Sequence, residues 1–233
     1  AGGVRFEDPA SGEVWRAPAR AVSRPTALPQ GFRHGPVLFC LRSCGSESAA
    51  RALAAEAPRA CVASFQNDLD NEPILARHFP VVIGAPLRQT CTRSAPNAAL
   101  AAGGGRVVLG RHPEGAGPEL EALAARLRGA GYDVGVSARL AEDRWLKLCI
   151  NLMTAPNALI RREDHRTPAF VEVKAPQHEK GRNAHAAAGI AVRSCDGRDR
   201  SLDEEIAWQR ASLASGESLR AVPIYNHVWS ALR

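Results

Sequence analysis

Three short stretches of the chain are apolar, with one serine among them: Val37-Leu38-Phe39-Cys40-Leu41, Ala60-Cys61-Val62-Ala63-Ser64-Phe65 and Val81-Val82-Ile83-Gly84. Runs of that length without polar alternation suit strands covered on both faces, as in a parallel sheet. Between the first two, Ser46 to Ala54 reads as a helix with Ser46 near its start, and Asn71 to Phe79 reads as a second, shorter helix. Strand, helix, strand, helix, strand is the order of an α/β layer. Ahead of it, Val4 to Glu7 and Glu13 to Arg16 alternate around a Pro/Ser/Gly turn and predict a hairpin.

The pattern changes after Gly84. Leu87 to Thr92, Ala98 to Ala101 and Arg106 to Leu109 read as sheet segments broken by glycines. Glu119 to Gly129 is amphipathic and ends at Gly129 and Gly131, and Tyr132 to Val136 is a short strand. From Arg139 onward the sequence predicts helices and no strand. The expected organisation is an α/β part over 1–137 and a helical part over 138–233, with no internal repeat.

The 233 residues are 45% hydrophobic, enough for one large core or two small ones. No apolar run approaches the roughly 20 residues that cross a bilayer, so membrane association is not expected. The net charge of +6 comes from arginines interleaved with acids, and no basic cluster carries aromatics. That argues against nucleic acid and suits a basic surface or an anionic small ligand. Six cysteines, none in a CxxC pair and several within apolar runs, predict buried thiols in a reducing, cytoplasmic setting, without a metal site.

Three segments could carry chemistry. In Arg144-Trp145-Leu146-Lys147-Leu148-Cys149-Ile150-Asn151, Lys147 and Asn151 are four apart and share one helix face. Polar groups in so apolar a helix need partners or a cavity. On periodicity alone, a lysine snorkelling at the rim of the core is the better reading. Ser64 to Glu72 is a polar cluster after the carboxyl end of a buried strand, where α/β sheets bind ligands, although Asn and Asp are also ordinary turn residues. Gly103-Gly104-Gly105 precedes a strand rather than a helix and is therefore no phosphate loop.

Taken together, the Gln66-Asn67 turn, the Gly103-Gly104-Gly105-x-x-x-Leu109-Gly110 strand and the Trp145-x-Lys147-Leu148-x-x-Asn151 helix occur in an order and at spacings that resemble the ketopantoate reductase (2-dehydropantoate 2-reductase) family. Gly2-Gly3-Val4-Arg5, Phe39-Cys40-Leu41-Arg42 and Asn71-Glu72 add to the match, which covers most of residues 1 to about 160. The resemblance implies a Rossmann-like domain and an all-helical domain like the carboxyl-terminal one of 6-phosphogluconate dehydrogenase. It implies NADPH-dependent reduction of 2-dehydropantoate to pantoate, on the path to coenzyme A. Lys147 stands at the family's general-acid lysine and Asn151 at a substrate-binding asparagine. Asn67 stands where an asparagine lies near nicotinamide and substrate, and Arg42 where some relatives carry a cofactor-contacting lysine. His227 falls where a serine helps bind substrate, and homodimerisation through the helical domain is an option.

Departures from the family pattern shape the remaining expectations. The opening strand, GxGxxG-type loop and helix do not occur in the chain, so the Rossmann-like domain is expected to lack its first βαβ unit and the family's NADPH-binding loop. The family's hydroxyl-binding glutamate would fall beyond Arg233. The expectation is thus a reductase truncated at both ends and impaired as given. A family asparagine eight residues after the lysine is Ala155 here, which with His227 admits another 2-ketoacid substrate. The alternative is a degenerate, non-catalytic relative that dimerises or binds.

Overall fold

The computed structural model describes residues 3–8, 11–29, 35–89, 91–101, 105–152, 156 and 159–215. The chain divides into two compact units, Ala1–Leu140 and Ala141–Arg233, here called the sheet unit and the helical unit.

The sheet unit holds every described strand. The predicted hairpin forms from β1 (Val4–Glu7) and β2 (Val14–Ala17), paired antiparallel with Phe6 opposite Trp15. Gly12 takes the turn position with φ of 73°, which only glycine adopts at no steric cost. The three apolar runs become β3 (Val37–Phe39), β4 (Cys61–Ser64) and β5 (Val81–Gly84), parallel and adjacent. Helices α1 (Ser46–Ala54) and α2 (Asn71–Ala76) connect them. Downstream come β6 (Leu87–Arg88), β7 (Cys91–Ala95), β8 (Ala98–Ala101), β9 (Arg106–Arg111), α3 (Pro118–Gly129) and β10 (Asp133–Val136). The main sheet runs β10-β9-β5-β4-β3, with β6 on β9. The β5–β9 pair is antiparallel, so the sheet is mixed.

Successive residues of β4 and β5 point to opposite faces, as the period of two requires. Val62 and Val82 pack with Phe39, Leu53, Leu75 and Phe79 under α1 and α2. Ala63 and Ile83 pack with Val107, Leu109, Leu120 and Leu123 under α3. Leu75, Ile83 and Leu109 are fully buried, and each burial is worth about 2 kcal/mol. Helix α3 starts with Pro118, carries Glu119 and Glu121 in its first turn and Arg126 and Arg128 in its last, matching the helix dipole. Gly131, at φ of 87°, ends it.

Two features went unread in the sequence. A separate four-stranded sheet runs β2-β1-β8-β7, joining the hairpin to a segment some ninety residues away through a parallel β1–β8 ladder. The second feature is a glycine slot: Gly84 and Gly110 face each other across β5 and β9, and the Leu140 side chain fills the space.

The helical unit contains α4 (Leu140–Leu152, whose first residue belongs to the sheet unit), α5 (Pro168–Ala187) and α6 (Leu202–Ala214). Thr167 caps α5 by accepting from the Phe170 amide. Ser201 and Glu204 form a reciprocal capping box at α6, with bonds of 3.2 and 2.7 Å. Arg210 pairs with Glu172, and Arg182 with Asp203, so α5 and α6 run antiparallel. Among the described residues, no helix is long and apolar enough to cross a membrane.

Candidate functional site

The carboxyl ends of β3 and β4 open onto a pocket of about 700 Å³, within the roughly 300–1,000 Å³ range of small-molecule sites. The apolar walls include Leu38, Phe65, Leu87 and Leu127, with the Tyr132 ring beside them. The Tyr132 hydroxyl donates to Gln89 Oε1 at 2.9 Å, and burial raises its pKa. Arg42 and Asn67 line the same pocket and are both exposed. Each sits just past the last paired residues, Phe39 and Ser64, where the polypeptide leaves the sheet for a helix.

The wall of that pocket rests on a buried polar network within and beside the Ser64 to Glu72 cluster, whose internal bonding the sequence did not reveal. Gln66 turns inward, and its amide donates to the Leu41 carbonyl (2.9 Å) and to Ser46 Oγ (2.8 Å). Ser46 Oγ donates to Asn71 Oδ1 at 2.7 Å, and Asn71 Nδ2 donates to Ser43 Oγ at 3.0 Å. A hydroxyl or amide every few residues through a strand-to-helix turn was the available signal.

A reduced dinucleotide has a flat ring with an amide, and phosphates. The pocket offers apolar walls for a ring, the Asn67 amide for a polar substituent, and the Arg42 guanidinium for an anion, so these residues fit such a group. Among the described residues that line the pocket, Arg42 is the one cation placed to meet a phosphate.

Lys147 and Asn151 lie on α4 one turn apart, both half-buried, in the helical unit. Their neighbour Cys149 is buried, with Sγ 3.5 Å from His185 Nδ1, and Trp145 meets the same imidazole edge-on at 5.0 Å. Desolvation raises the Cys149 pKa, which keeps it a thiol. His227, Ala155 and Asn157 lie outside the described residues.

The helical unit also buries a lysine and a histidine that the sequence reading missed. Lys174 and His178 are one turn apart on α5, and both are under a tenth exposed. The Lys174 ammonium stands 4.2 Å from the Phe170 ring centroid, and His165 stacks on that ring at 4.3 Å. Burial pushes Lys174 down to about 8, with Glu205 opposing the shift. Burial also lowers His178, whose Nδ1 lies 3.1 Å from the Leu202 carbonyl, while its Nε2 is buried with no hydrogen-bond partner among the described residues. The spacing Lys-x-x-x-His was legible, but Pro176 and Gly181 interrupt the helix signal around it.

The cysteine expectation needs correction. Cys40, Cys44, Cys91 and Cys195 are exposed, Cys61 is half-buried, and Cys149 alone is buried. Cys40 shows why, because β3 ends at Phe39 and leaves the next residue outside the sheet. Among the described residues, no group of three His, Cys, Asp or Glu side chains is placed to hold a metal ion.

No family model matches the chain. A 2-dehydropantoate 2-reductase of Halobacterium salinarum is 29% identical over 186 residues, which is 78% of this chain. The chain spans 60% of the length of that curated relative. The PanE/ApbA family ketopantoate reductase of Ralstonia eutropha superposes with a TM-score of 0.70 at 21% identity, covering 97% of this chain and 71% of its own. D-mandelate dehydrogenase, solved with NADH and anilino(oxo)acetate, superposes at 0.71 with 17% identity, covering 96% and 71%. The α/β sheet domain followed by helices is thus the ketopantoate reductase fold. In sequence and in fold, the chain resembles the ketopantoate reductases.

Proposed function

We propose that the protein to which this chain belongs reduces a 2-ketoacid with a nicotinamide cofactor in the cytoplasm, with 2-dehydropantoate and NADPH as the first choices. The observation that carries the reading is the pocket at the carboxyl ends of β3 and β4, where Arg42 and Asn67 meet apolar walls. Sequence similarity to a 2-dehydropantoate 2-reductase supports the substrate class.

A bound reduced nicotinamide supplies a hydride. Hydride addition to a ketone leaves negative charge on its oxygen, which needs a cation and a proton. Lys147 is assigned that task, with Nζ giving up the proton. Asn151 and Asn67 would hold and orient the substrate, Asn67 would also contact a bound nicotinamide, and Arg42 would hold a cofactor phosphate. His227 is assigned to substrate binding on the family resemblance alone. Residues 1–137 serve as the cofactor domain and 138–233 as a substrate and dimerisation domain.

A second reading, reduction of a different 2-ketoacid, is favoured by Ala155 standing where the family keeps an asparagine. The structural likeness to an NADH-bound D-mandelate dehydrogenase points the same way and leaves NADH as a cofactor to be tested.

The test follows loss of nicotinamide absorbance in the full-length protein, with NADPH and NADH each offered 2-dehydropantoate and a panel of branched and aromatic 2-ketoacids. Turnover with 2-dehydropantoate and NADPH ahead of the rest is expected. Lys147→Ala should lower kcat by about 100-fold or more. No turnover on any ketoacid would favour a non-catalytic, dimerising relative, and an unchanged kcat would return Lys147 to a snorkelling role.

A further inference from the structure

Strands β3 and β4 run side by side as far as Phe39 and Ser64, and the Phe65 amide donates once more to the Phe39 carbonyl at 3.0 Å. Beyond that bond the two segments diverge, one through Arg42 to α1 and the other through Asn67 to α2. The tie between them is then made by a side chain. One Gln66 amide nitrogen donates to the Leu41 carbonyl and to Ser46 Oγ, so both of its hydrogens cross from the β4 exit to the β3 exit. Leu41 precedes Arg42, and Gln66 precedes Asn67. The buried Gln66 amide, joined by the Ser46–Asn71 and Asn71–Ser43 bonds, therefore fixes the spacing of the two exposed polar residues that the pocket presents.

We propose that Gln66 is a positioning residue of the dinucleotide site, acting through Arg42 and Asn67, with Ser46 and Asn71 holding the Gln66 amide in place. The inference rests on the reading of this pocket as a nicotinamide cofactor site. Simple adhesion between the two helices would need none of these groups, because well-packed apolar side chains of the same volume hold helices together without the desolvation cost of buried amides and hydroxyls. What a partnered polar network adds is direction: each bond is satisfied in one geometry, so the two exits have one relative placement. Gln66 is 5% exposed, while Ser46 and Asn71 are fully buried, so solvent does not substitute for the missing partner when one is removed.

The test uses the full-length protein with Gln66→Met, which keeps the side chain's length and removes both donors. Ser46→Ala, which leaves the bond to Leu41, is the milder companion. Hydrogen exchange is read over residues 40–45 and 65–69 and compared with β4 and β5, and NADPH binding is titrated by nicotinamide fluorescence. Exchange should quicken at both exits while the strands keep their protection. The NADPH Kd should rise about tenfold for Gln66→Met and less for Ser46→Ala. Unchanged exchange at the exits of the folded variants would overturn the positioning role. Faster exchange with an unchanged Kd, in a protein whose wild type binds NADPH, would overturn the link to the cofactor and leave the cofactor reading standing. A wild type that binds neither NADPH nor NADH would overturn both. If Gln66→Met does not fold, the same outcomes are read from Ser46→Ala.

Discussion

In the sheet unit the polar side chains buried beside the pocket are neutral and bonded to one another, as in the Gln66, Ser46 and Asn71 network. In the helical unit, α5 and α6 bury a lysine, a histidine and a glutamine, with His178 Nε2 and Gln209 Oε1 left without hydrogen-bond partners among the described residues. The difference lies in what each element could offer. Strand exits supply free backbone carbonyls and hydroxyl-bearing turns, so an inward amide finds acceptors. A helix has already used most of its backbone groups internally, so a polar side chain buried between two helices finds few backbone acceptors, the Leu202 carbonyl beside His178 being one. Beside the pocket, buried polarity thus sets geometry, whereas between α5 and α6 part of it is held at a cost in stability.

The comparison is broken most forcefully in the sheet unit's packing. A Cβ added at Gly110 would lie 2.7 Å from Leu140 Cβ and 2.9 Å from the Ser137 carbonyl oxygen, both closely tied to backbone. Gly110→Ala should therefore cost about 3 kcal/mol, at the upper end of overpacking. Gly84→Ala, across the slot, meets mainly the Leu140 methyl groups, which can rotate away, and should cost about 1 kcal/mol. Urea unfolding of both variants checks the order. Equal losses would mean that Leu140 does not seat in the slot as described.

How much of this was legible depended on whether the signal was local. Ser46–Ala54 and Val81–Gly84 were read to the residue, because a helix with a serine start and an uninterrupted apolar run are settled by neighbours in sequence. The β1–β8 ladder was not read, since Arg5 and Ala98 carry no mark of each other. Arg42 and Asn67 were singled out one at a time, and the structure brings them to one pocket because parallel neighbours end on the same side of a sheet. The Gln66 network stayed hidden for the opposite reason. Glutamine and serine near a turn look like solvent-facing residues until the topology places them between two strand exits. Cysteine burial was misjudged because an apolar run says where a strand is, not where it stops.

The next prediction sharpens the helical side. Lys174 sits at about 8 against an ordinary 10.5, a gap worth about 3 kcal/mol withheld from the folded state at neutral pH. The folded protein holds this proton less tightly than the unfolded chain. The penalty is therefore complete below pH about 8 and is relieved as pH rises from there towards 10.5. Lys174→Met removes the penalty and forfeits the contact with Phe170, so a gain of about 2 kcal/mol at pH 7 is expected. The gain should shrink as pH rises through that window, which parallel denaturation of variant and wild type would show. A variant less stable than the wild type at pH 7 would mean that the ammonium is well compensated, and the contrast between the units would weaken.

The smallest effect is expected where charge is abundant but solvated. Arg210 reaches Glu172 with both Nε and Nη2 at 3.0 Å, a two-point pairing between α5 and α6 that holds the Glu172 carboxyl below its usual pKa. Both side chains are about half exposed, so water and salt compete for each charge. Glu172→Gln keeps the side chain's shape and removes the charge, and it should leave the unfolding midpoint unchanged within measurement. If it destabilised the protein as much as Gly110→Ala does, the helical unit would be held by its surface ion pairs. The buried Lys174 of α5 would then be tolerated because the pairs outside compensate for it, and not because the unit is intrinsically the weaker of the two.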